Sequence, residues 1–431
     1  MAQQRTLDSI RVDYPAPPHV PKDRLVDLSW AIGAVPNDLV DPYEPCAWLA
    51  GPEIPRLLYN PATPGAVQGS AVSGGGRGSW VVTHYEDIAR VYTDNEYFSN
   101  AGTAEFQRVI GETFRSIPLA IDPPEHTKYR LYLLPHFAPP RIAQVLEPRI
   151  REVVTEMIAA IAAKGEVDMA WDFARVFPVR IFMGLMGFPA PMFEQFLDWE
   201  WDILHSNSRE KMAAALRGVL DYLRSFIAEK EQNPDEFLVS AIVHGQIEGQ
   251  APTDDEKIGM VWFLWLGGLD TVAATISQMF RRMALQPEIQ EQLRADPDLI
   301  DGAVEEFLRT QPILSSMRIA TKDFEWHGVT IKAGESVQCL NPSGNFDPAR
   351  FENPRVFDPA RKANRHFTFV GGVHTCLGAP LARRELRILL EEWLKRIPPF
   401  RMKPGADISV FPGLLSVRNL PLVWDAAKAR A

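Results

Sequence analysis

The sequence has 431 residues, with 45 basic and 55 acidic side chains and a formal net charge of −10. A surface of this charge repels nucleic acid and anionic membranes, so we expect neither as a partner. The three cysteines, Cys46, Cys339 and Cys376, form neither a disulfide framework nor a CxxC pair, which favours a reducing compartment. We therefore expect a cytoplasmic protein and, because no feature of the sequence demands an oligomer, a monomer.

Helical patterns dominate the chain, with a few short strand patterns between them. Residues 1–24 are proline-rich, lack the apolar core of a signal peptide, and are expected to lie extended on the surface. A turn-rich tract at 61–79 precedes a strand pattern at 80–85, and helical spacing prevails over 139–249. Strand patterns return at 324–340. Because no linker divides the chain, the sequence predicts one mainly α domain that spans all 431 residues, with a small β part.

The longest helical pattern, at 252–287, has an unusual centre. It is apolar on several faces, which is typical of a buried core helix. Gly267 and Gly268 each cost on the order of 1 kcal/mol in a helix relative to alanine, and Asp270 and Thr271 place polar groups in an apolar setting. Two interpretations are open. One is a packing kink in which the Thr271 side chain forms a hydrogen bond with the backbone. The other is a helix opened beside a cofactor, where Asp270 and Thr271 transfer protons.

One cysteine stands in a setting that requires an explanation. Cys376 lies in the stretch GGVHTCLG, just before a run with helical spacing whose start would present free N–H groups and a positive dipole end. If Cys376 were a zinc ligand, His374 would be the only second ligand nearby. If it were a nucleophile with His374 as its base, the surrounding glycines would have no explanation. An inert buried cysteine is a further alternative. An axial haem ligand accounts for a thiolate, the glycines, the N–H donors and the helix together.

Four motifs in this sequence resemble those of the cytochrome P-450 haem-thiolate monooxygenases. FVGGVHTCLGAPLAR (369–383) matches the cysteine-ligand loop, GGLDT (267–271) matches the oxygen-activation segment, and DPPEHTKYR (122–130) matches the segment that binds haem propionates. Glu306 and Arg309 match the ExxR pair, whose members lie one helical turn apart and can form an ion pair. The motifs occur in the family's order, and the likeness extends over nearly the whole chain. It is closest to the bacterial camphor hydroxylase group and implies a mainly helical prism around a buried haem.

The resemblance implies a role for each matching residue, with haem b (iron protoporphyrin IX) as the cofactor. Cys376 would be the iron ligand, and Asp270 with Thr271 would relay protons during oxygen activation. Glu306 and Arg309 would be structural. The residues implied in binding the rest of the haem are His126, Arg130, Gly267, Arg318, Phe369 and His374. The cations in this set suit the two propionates of the haem.

The sequence departs from the camphor hydroxylase pattern at three positions. Val370 stands where glycine is usual in the ligand loop, which puts the local backbone in question. Ser316 stands in place of an acidic neighbour of the propionates. Phe114 replaces the tyrosine whose hydroxyl holds the camphor ketone, and this loss of a donor counts against camphor itself.

By the same likeness, the substrate pocket is apolar and suits a small hydrophobic molecule, such as a monoterpenoid or a related terpenoid, bound by shape. The predicted pocket residues are Phe114, Phe263, Leu266, Leu314 and Leu415. The substrate, O₂, two electrons and two protons would give a hydroxylated product and water. A peroxide-driven haem-thiolate enzyme and a non-catalytic haem-binding or sensor protein are the alternatives. The Asp270–Thr271 pair favours the reaction with dioxygen.

The electrons must come from a partner protein, because the sequence has no flavin or dinucleotide fingerprint. Basic residues outnumber acidic ones around Cys376. This local inversion in an acidic chain suggests docking of an acidic [2Fe–2S] ferredoxin, itself reduced by a ferredoxin reductase. The predicted docking residues are Arg361, Lys362, Arg365 and Arg383. The alternative is that these cations form a solvated face that serves packing alone.

Overall fold

The structure is a computed structural model, and it describes residues 6–28, 43–61, 78–206, 208–362, 364–406, 408, 410 and 414–430. Helices dominate these residues, so the predicted mainly α fold with a small β part is confirmed. Its α-helices of five or more residues are α1 (Glu44–Leu49), α2 (Tyr85–Thr93), α3 (Glu125–Leu133), α4 (Glu147–Ala162), α5 (Phe177–Met186), α6 (Phe193–Leu204), α7 (Arg209–Gln232), α8 (Leu238–His244), α9 (Asp254–Leu285), α10 (Pro287–Ala295), α11 (Ile300–Thr310), α12 (Asn341–Asn345) and α13 (Ala379–Arg396). Most of the turn-rich tract predicted at 61–79 lies outside the described residues.

The strands form three small sheets at the edges of the helical body. They are β1 (Leu57–Asn60), β2 (Ser79–Val82), β3 (Phe98–Ser99), β4 (Glu166–Asp168), β5 (Ser316–Ala320), β6 (Phe324–Trp326), β7 (Val329–Ile331), β8 (Ser336–Cys339), β9 (Arg401–Met402) and β10 (Pro421–Val423). The largest sheet has the order β1-β2-β8-β5-β3; β10 lies between β4 and β9, and β6 pairs with β7. The β6–β7 turn uses two residues with positive φ, His327 and Gly328. Strand β5 carries Arg318, whose side chain is buried.

Helix α9 is the central element of the fold. It begins with a capping box, in which the N–H of Glu256 donates to Oγ1 of Thr253 over 3.3 Å, and it runs without a break for 32 residues through the glycine pair. Trp262 and Trp265 are fully buried, and the main hydrophobic core surrounds α9 with side chains of α4, α5, α7 and α13. By length and composition α9 could cross a membrane, yet 61% of its apolar window is buried inside the protein. This burial is typical of a core helix.

Candidate active site

A cavity of about 370 Å³ lies between the middle of α9 and the loop that precedes α13. Segments that are far apart in the sequence line it, including Thr271 of α9, Arg318 of β5 and Cys376 of the loop. The predicted site residues that line this cavity are His126, Arg130, Phe263, Gly267, Thr271, Leu314, Arg318, Phe369, His374 and Cys376. The fold thus gathers most of the predicted cofactor-binding residues around one space.

The Cys376 thiol is exposed to this cavity, although it lies deep within the protein. The Cys376 N–H donates to the carbonyl oxygen of Phe369 over 2.9 Å, which closes the loop before α13 begins at Ala379. Burial raises the pKa of the Cys376 thiol, while the N–H groups of Gly378 and Ala379 and the guanidinium of Arg130 act to lower it. The predicted stabilisation of a thiolate by the helix start is therefore present but weaker than the effect of burial. Coordination to a metal ion would ionise the sulfur outright.

The glycines of the cysteine loop permit close packing against α2. A Cβ atom on Gly372 would lie 2.0 Å from the carbonyl oxygen of Tyr92, and one on Gly371 would lie 3.3 Å from the Tyr92 Cβ. These two glycines therefore serve the packing of the loop on α2, and the Cβ positions they leave free do not face the cavity. Val370 has a φ of +62°, a left-handed conformation that costs a β-branched residue on the order of 1–3 kcal/mol. The loop thus keeps a backbone that favours glycine at a position where valine stands.

Buried polar groups without hydrogen-bond partners line one edge of the cavity. The rings of His126 and His374 lie 4.4 Å apart, and both ring nitrogens of His126, Nε2 of His374 and Nη2 of Arg318 lack a hydrogen-bond partner among the described residues. Burial, followed by the positive charge of Arg318, lowers the pKa of His374 to about 3. Buried polar groups without partners are rare in folded proteins, so this edge is suited to an anion. The two carboxylates of a haem would supply the missing acceptors, and the residues present therefore fit that cofactor.

The centre of α9 presents a small residue and a hydroxyl group to the cavity. A Cβ atom on Gly267 would meet nothing within 4 Å, whereas one on Gly268 would lie 2.4 Å from the ring of Phe182. The Thr271 hydroxyl donates to the carbonyl oxygen of Gly267 over 3.1 Å. Both interpretations of this segment therefore hold in part: Thr271 bonds the backbone, and the helix passes close to the cavity without opening.

Asp270 does not line the cavity but joins a buried group that we call the distal cluster, which consists of Glu200, His205 and Asp270. Nε2 of His205 lies 3.0 Å from Oδ2 of Asp270 and 3.5 Å from Oε1 of Glu200, and each of the three side chains is at most 10% exposed. Burial opposes protonation of His205, but the charge and hydrogen bond of Asp270, reinforced by Glu200, raise its pKa to about 10. Burial, together with the charge of Asp270, raises the pKa of Glu200 to about 7.

Sequence reasoning missed Glu200 and His205, because nothing in the local spacing marks them. They lie at the end of α6, and His205 is 65 residues from its partner Asp270. Only the packing of α6 on α9 brings the three side chains together. An acidic residue in the apolar centre of α9 did indicate that a buried partner exists, but not which one.

A second buried group, the proximal network, consists of Glu306, Arg309 and Arg361. Arg309 binds the Glu306 carboxylate at both oxygens, over 2.7 and 2.9 Å, and its remaining N–H groups reach the carbonyl oxygens of Asn345 and Pro354. Arg361 donates to the same carboxylate over 3.0 Å. Burial opposes ionisation of Glu306, but these hydrogen bonds lower its pKa. Arg361, predicted as a docking residue, is therefore held within this network, and its side chain is only 10% exposed.

Acidic residues from other elements offset part of the basic cluster around the cysteine loop. Arg383 binds Glu305 over 2.6 Å, and its guanidinium lies 4.7 Å from the centre of the Phe369 ring. Lys362 and Arg365 are exposed. The local charge pattern did not predict this pairing, because Glu305, the acidic partner of Arg383, lies in α11 and is distant in the sequence.

Three predicted pocket residues lie away from the cavity. Phe114 lines a separate cavity of about 380 Å³ whose walls carry several charged side chains. Leu266 packs against the main core from a partly buried position, and Leu415 is buried beside Tyr43 and Phe346. The apolar residues that line the cavity beside Cys376 and that the sequence did not predict include Phe106, Phe182, Leu264, Val272 and Ile313.

Comparisons with known proteins identify relatives of this chain. The sequence profile of the family described as cytochrome P-450 matches residues 179–412. The chain is 36% identical to a probable cytochrome P-450 127A1 of Sinorhizobium fredii, over 95% of this chain and 97% of that protein. It is 33% identical to the mycinamicin IV hydroxylase/epoxidase of Micromonospora griseorubida, over 81% and 90%. Among solved structures it is similar to CYP101J2, with a TM-score of 0.82 and 30% identity over 96% and 100% of the two chains. It is also similar to CYP101C1, with a TM-score of 0.81 and 31% identity over 95% and 100%.

Proposed function

Because this chain belongs to the cytochrome P-450 family, we propose that it hydroxylates a small hydrophobic substrate, a monoterpenoid or a related terpenoid, with O₂ and electrons from a ferredoxin. The family binds haem b, which supplies the oxygen-activating chemistry when it is bound. The observation that carries the substrate proposal is the lining of the cavity, which includes the apolar side chains of Phe182, Phe263, Val272 and Leu314. A wall of this kind suits a hydrophobic molecule.

The residues at the cavity divide into those that would bind iron and those that would hold the rest of the haem. Cys376 would ligate the iron through Sγ, which is exposed to the cavity. Gly267 and Phe369 would lie against the macrocycle. The residues proposed to bind the propionates are His126, Arg130, Arg318 and His374. The support for this assignment is the cluster of buried donors without acceptors along one edge of the cavity.

Two neighbouring residues of α9 are proposed to move protons. The Thr271 hydroxyl lines the cavity and can both donate and accept a hydrogen bond. Asp270 is adjacent in the chain and binds His205, so it connects the cavity side of α9 with a buried acid–base group. This arrangement supports a reaction with dioxygen, which consumes protons, over a reaction with peroxide.

Apolar side chains form most of the proposed substrate wall. Phe263 and Leu314, which were predicted, stand together with Phe182 and Val272. The nearby hydroxyl of Thr103 already donates to the Asn100 carbonyl oxygen over 2.8 Å. Because apolar side chains form most of this wall, recognition would depend on shape.

The proposed electron donor is an acidic [2Fe–2S] ferredoxin that is reduced by a ferredoxin reductase. The exposed cations Lys362 and Arg365 support its docking on the face beside the cysteine loop. Arg383 would contribute less, because Glu305 offsets its charge. We further propose that the enzyme acts in the cytoplasm, where such a donor system would be available, and that it acts as a monomer.

A visible-absorption titration of the ferric, haem-loaded protein tests the substrate class. The panel consists of camphor, cineole, linalool, terpineol and ionones, with the macrolide erythromycin B as a ligand that is too large. We expect a low-spin thiolate–haem spectrum that turns high-spin with a compact terpenoid and stays unchanged with the macrolide. A shift with the macrolide alone would exclude the proposed substrate class. Protein that binds no haem would exclude the role of Cys376.

Product analysis tests the donor. The terpenoid that gives the spin shift is incubated either with NADH, ferredoxin and ferredoxin reductase, or with hydrogen peroxide alone. Product that forms faster with the reduced ferredoxin supports the proposal. Product that forms only with peroxide would exclude it, and the absence of product under both conditions would favour a sensor.

A further inference from the structure

The distal cluster places two carboxylates on a single donor atom. Nε2 of His205 faces Oδ2 of Asp270 at 3.0 Å and Oε1 of Glu200 at 3.5 Å. One N–H can bond only one of these oxygens well at a time, and Oε1 of Glu200 has no hydrogen-bond partner among the described residues. A cluster that served stability alone would give each buried oxygen its own donor. The geometry instead resembles a chain along which a proton can move.

Few other charges face the cluster. Glu200 and His205 come from α6 and its last turn, and Asp270 comes from α9. Arg175 is a further cation whose field reaches Glu200; its guanidinium lies 5.3 Å from the ring of Trp201 and donates to the Leu197 carbonyl oxygen over 2.7 Å. The C-terminal end of α6 also favours a positive imidazole. His205 therefore stays protonated at neutral pH, while Glu200, with a pKa of about 7, is divided between its acid and its carboxylate.

We propose that Glu200 and His205 load protons onto Asp270, and that Glu200 is the buried acid from which the reaction at the cavity draws its protons. The proposal rests on the proposed function and deepens it, since oxygen activation consumes protons and Thr271, the neighbour of Asp270, lines the cavity. Glu200 and His205 do not line the cavity, so in this proposal they act through Asp270.

The proton transfer balances without any other reactant. The Nε2–H bond of His205 breaks as an O–H bond forms on Asp270. The neutral imidazole then takes the proton of the Glu200 carboxyl group, which becomes a carboxylate. The net result is one proton moved from Glu200 to Asp270 with no electron transferred, and a proton from solvent restores Glu200. Histidine suits this position because, unlike arginine, it gives up its proton readily.

The first test needs no turnover. Infrared difference spectra of the haem-loaded protein, wild type minus E200Q, are recorded across neutral pH. We expect the carbonyl band of a protonated carboxylic acid, assigned to Glu200 by its absence in the variant, to disappear as the pH rises through about 7. A Glu200 that is fully ionised at every pH, or fully protonated into the alkaline range, could not exchange protons at neutral pH, and either result would overturn the proposal.

The second test follows turnover with the terpenoid that gives the spin shift. We expect E200Q and H205Q to slow product formation by about 10²-fold, the lower end of the range for positioned acid–base groups, with a larger solvent isotope effect. E200Q should also lose the pH dependence of the rate near neutrality. The matched control is E194Q, which alters an exposed glutamate of α6 and should keep the wild-type rate. A double variant E200Q/D270N should be no slower than D270N, because both changes interrupt one route.

A wild-type rate and isotope effect in E200Q would refute the proposal. The failure of the proposed function looks different: wild-type protein would then give no spin shift and no product, while the infrared titration would still report on Glu200. If E200Q fails to incorporate haem, E200D replaces it. In the infrared test the assigned band should then shift instead of being absent, and in the turnover test the shorter acid keeps the charge and alters the transfer distance.

Discussion

The two buried ion clusters that flank the cavity contain similar groups, yet they differ in how fully these are hydrogen-bonded. In the proximal network several donors surround the carboxylate of Glu306, and its pKa is lowered. In the distal cluster one imidazole serves two carboxylates, and the pKa of Glu200 is raised to about 7. A buried carboxyl group beside a base thus stays ionised when its hydrogen bonds are complete. When they are incomplete, it can gain and lose a proton near neutral pH.

Breaking the proximal network should have the largest effect. R309A leaves the Glu306 carboxylate without its main partner, and we expect a loss of about 3–5 kcal/mol in the free energy of unfolding, together with poor haem incorporation. Urea denaturation and the haem-to-protein ratio measure both. R209A, which removes an exposed arginine of α7, is the control. Equal stability of R309A and R209A would mean that the buried pair does not hold this side of the protein together.

A change in the distal cluster should instead affect the rate of the reaction. We expect D270N to fold and bind haem normally, because asparagine still accepts a hydrogen bond from His205. Product formation should fall by about 10²-fold, which corresponds to about 2.7 kcal/mol in the barrier. Product and NADH are measured together, so that electrons lost to side reactions are seen. Normal turnover in D270N would show that the distal cluster does not supply protons to the reaction, and so does not differ from the proximal network in the way proposed.

The pH dependence of stability should separate the clusters, because their pKa shifts have opposite consequences. The pKa of His205 is raised from its ordinary 6.5 to about 10, so its stabilising contribution is complete below about pH 6.5 and is lost as the pH rises through about 10. We expect the stability difference between E200Q and E200Q/H205Q to shrink as the pH rises above 6.5. The loss should be complete at a lower pH than in the wild type, because E200Q removes the part of the raised pKa that comes from Glu200. The E200Q background removes the titration of Glu200 itself. A difference that is constant up to pH 10 would contradict the raised pKa.

The lowered pKa of Glu306 predicts the reverse for the proximal network. Its stabilising contribution should be complete above the ordinary glutamate pKa of 4.5 and should be lost in more acidic solution. The stability difference between wild type and E306Q, measured by denaturation at several pH values, should therefore disappear as the solution is acidified. A difference that grows on acidification would show that Glu306 is protonated in the folded protein.

The smallest expected effect lies at the edge of the proximal network, where two neighbouring cations have different environments. Arg361 binds Glu306, whereas Lys362 is exposed. We expect K362E to raise the KM for ferredoxin roughly threefold, more at low salt than at high salt, without a change in stability. K428E, at an exposed lysine near the C-terminus, is the charge-matched control. Equal effects of the two substitutions would indicate that net charge, and not a docking surface, is responsible.

Local sequence determined the class of fold and the proximal side of the site. Periodicity and capping fixed α9, and the cysteine loop and the Glu306–Arg309 spacing belong to short stretches whose geometry is set within one or two turns of chain. His126 and His374 could also be predicted to lie near the cysteine loop, because the motifs that carry them are long. These are features that neighbouring residues specify among themselves.

Tertiary structure decided everything that depends on which side chains meet across the fold. Glu200 and His205 join Asp270 only because α6 packs on α9, and Glu305 offsets the charge of Arg383 only because α11 packs beside α13. Phe114 lines a different cavity from the one that the likeness to the camphor hydroxylase group indicated. Pairwise contacts of this kind depend on the relative position and rotation of whole elements, which the core packing sets and local spacing does not encode.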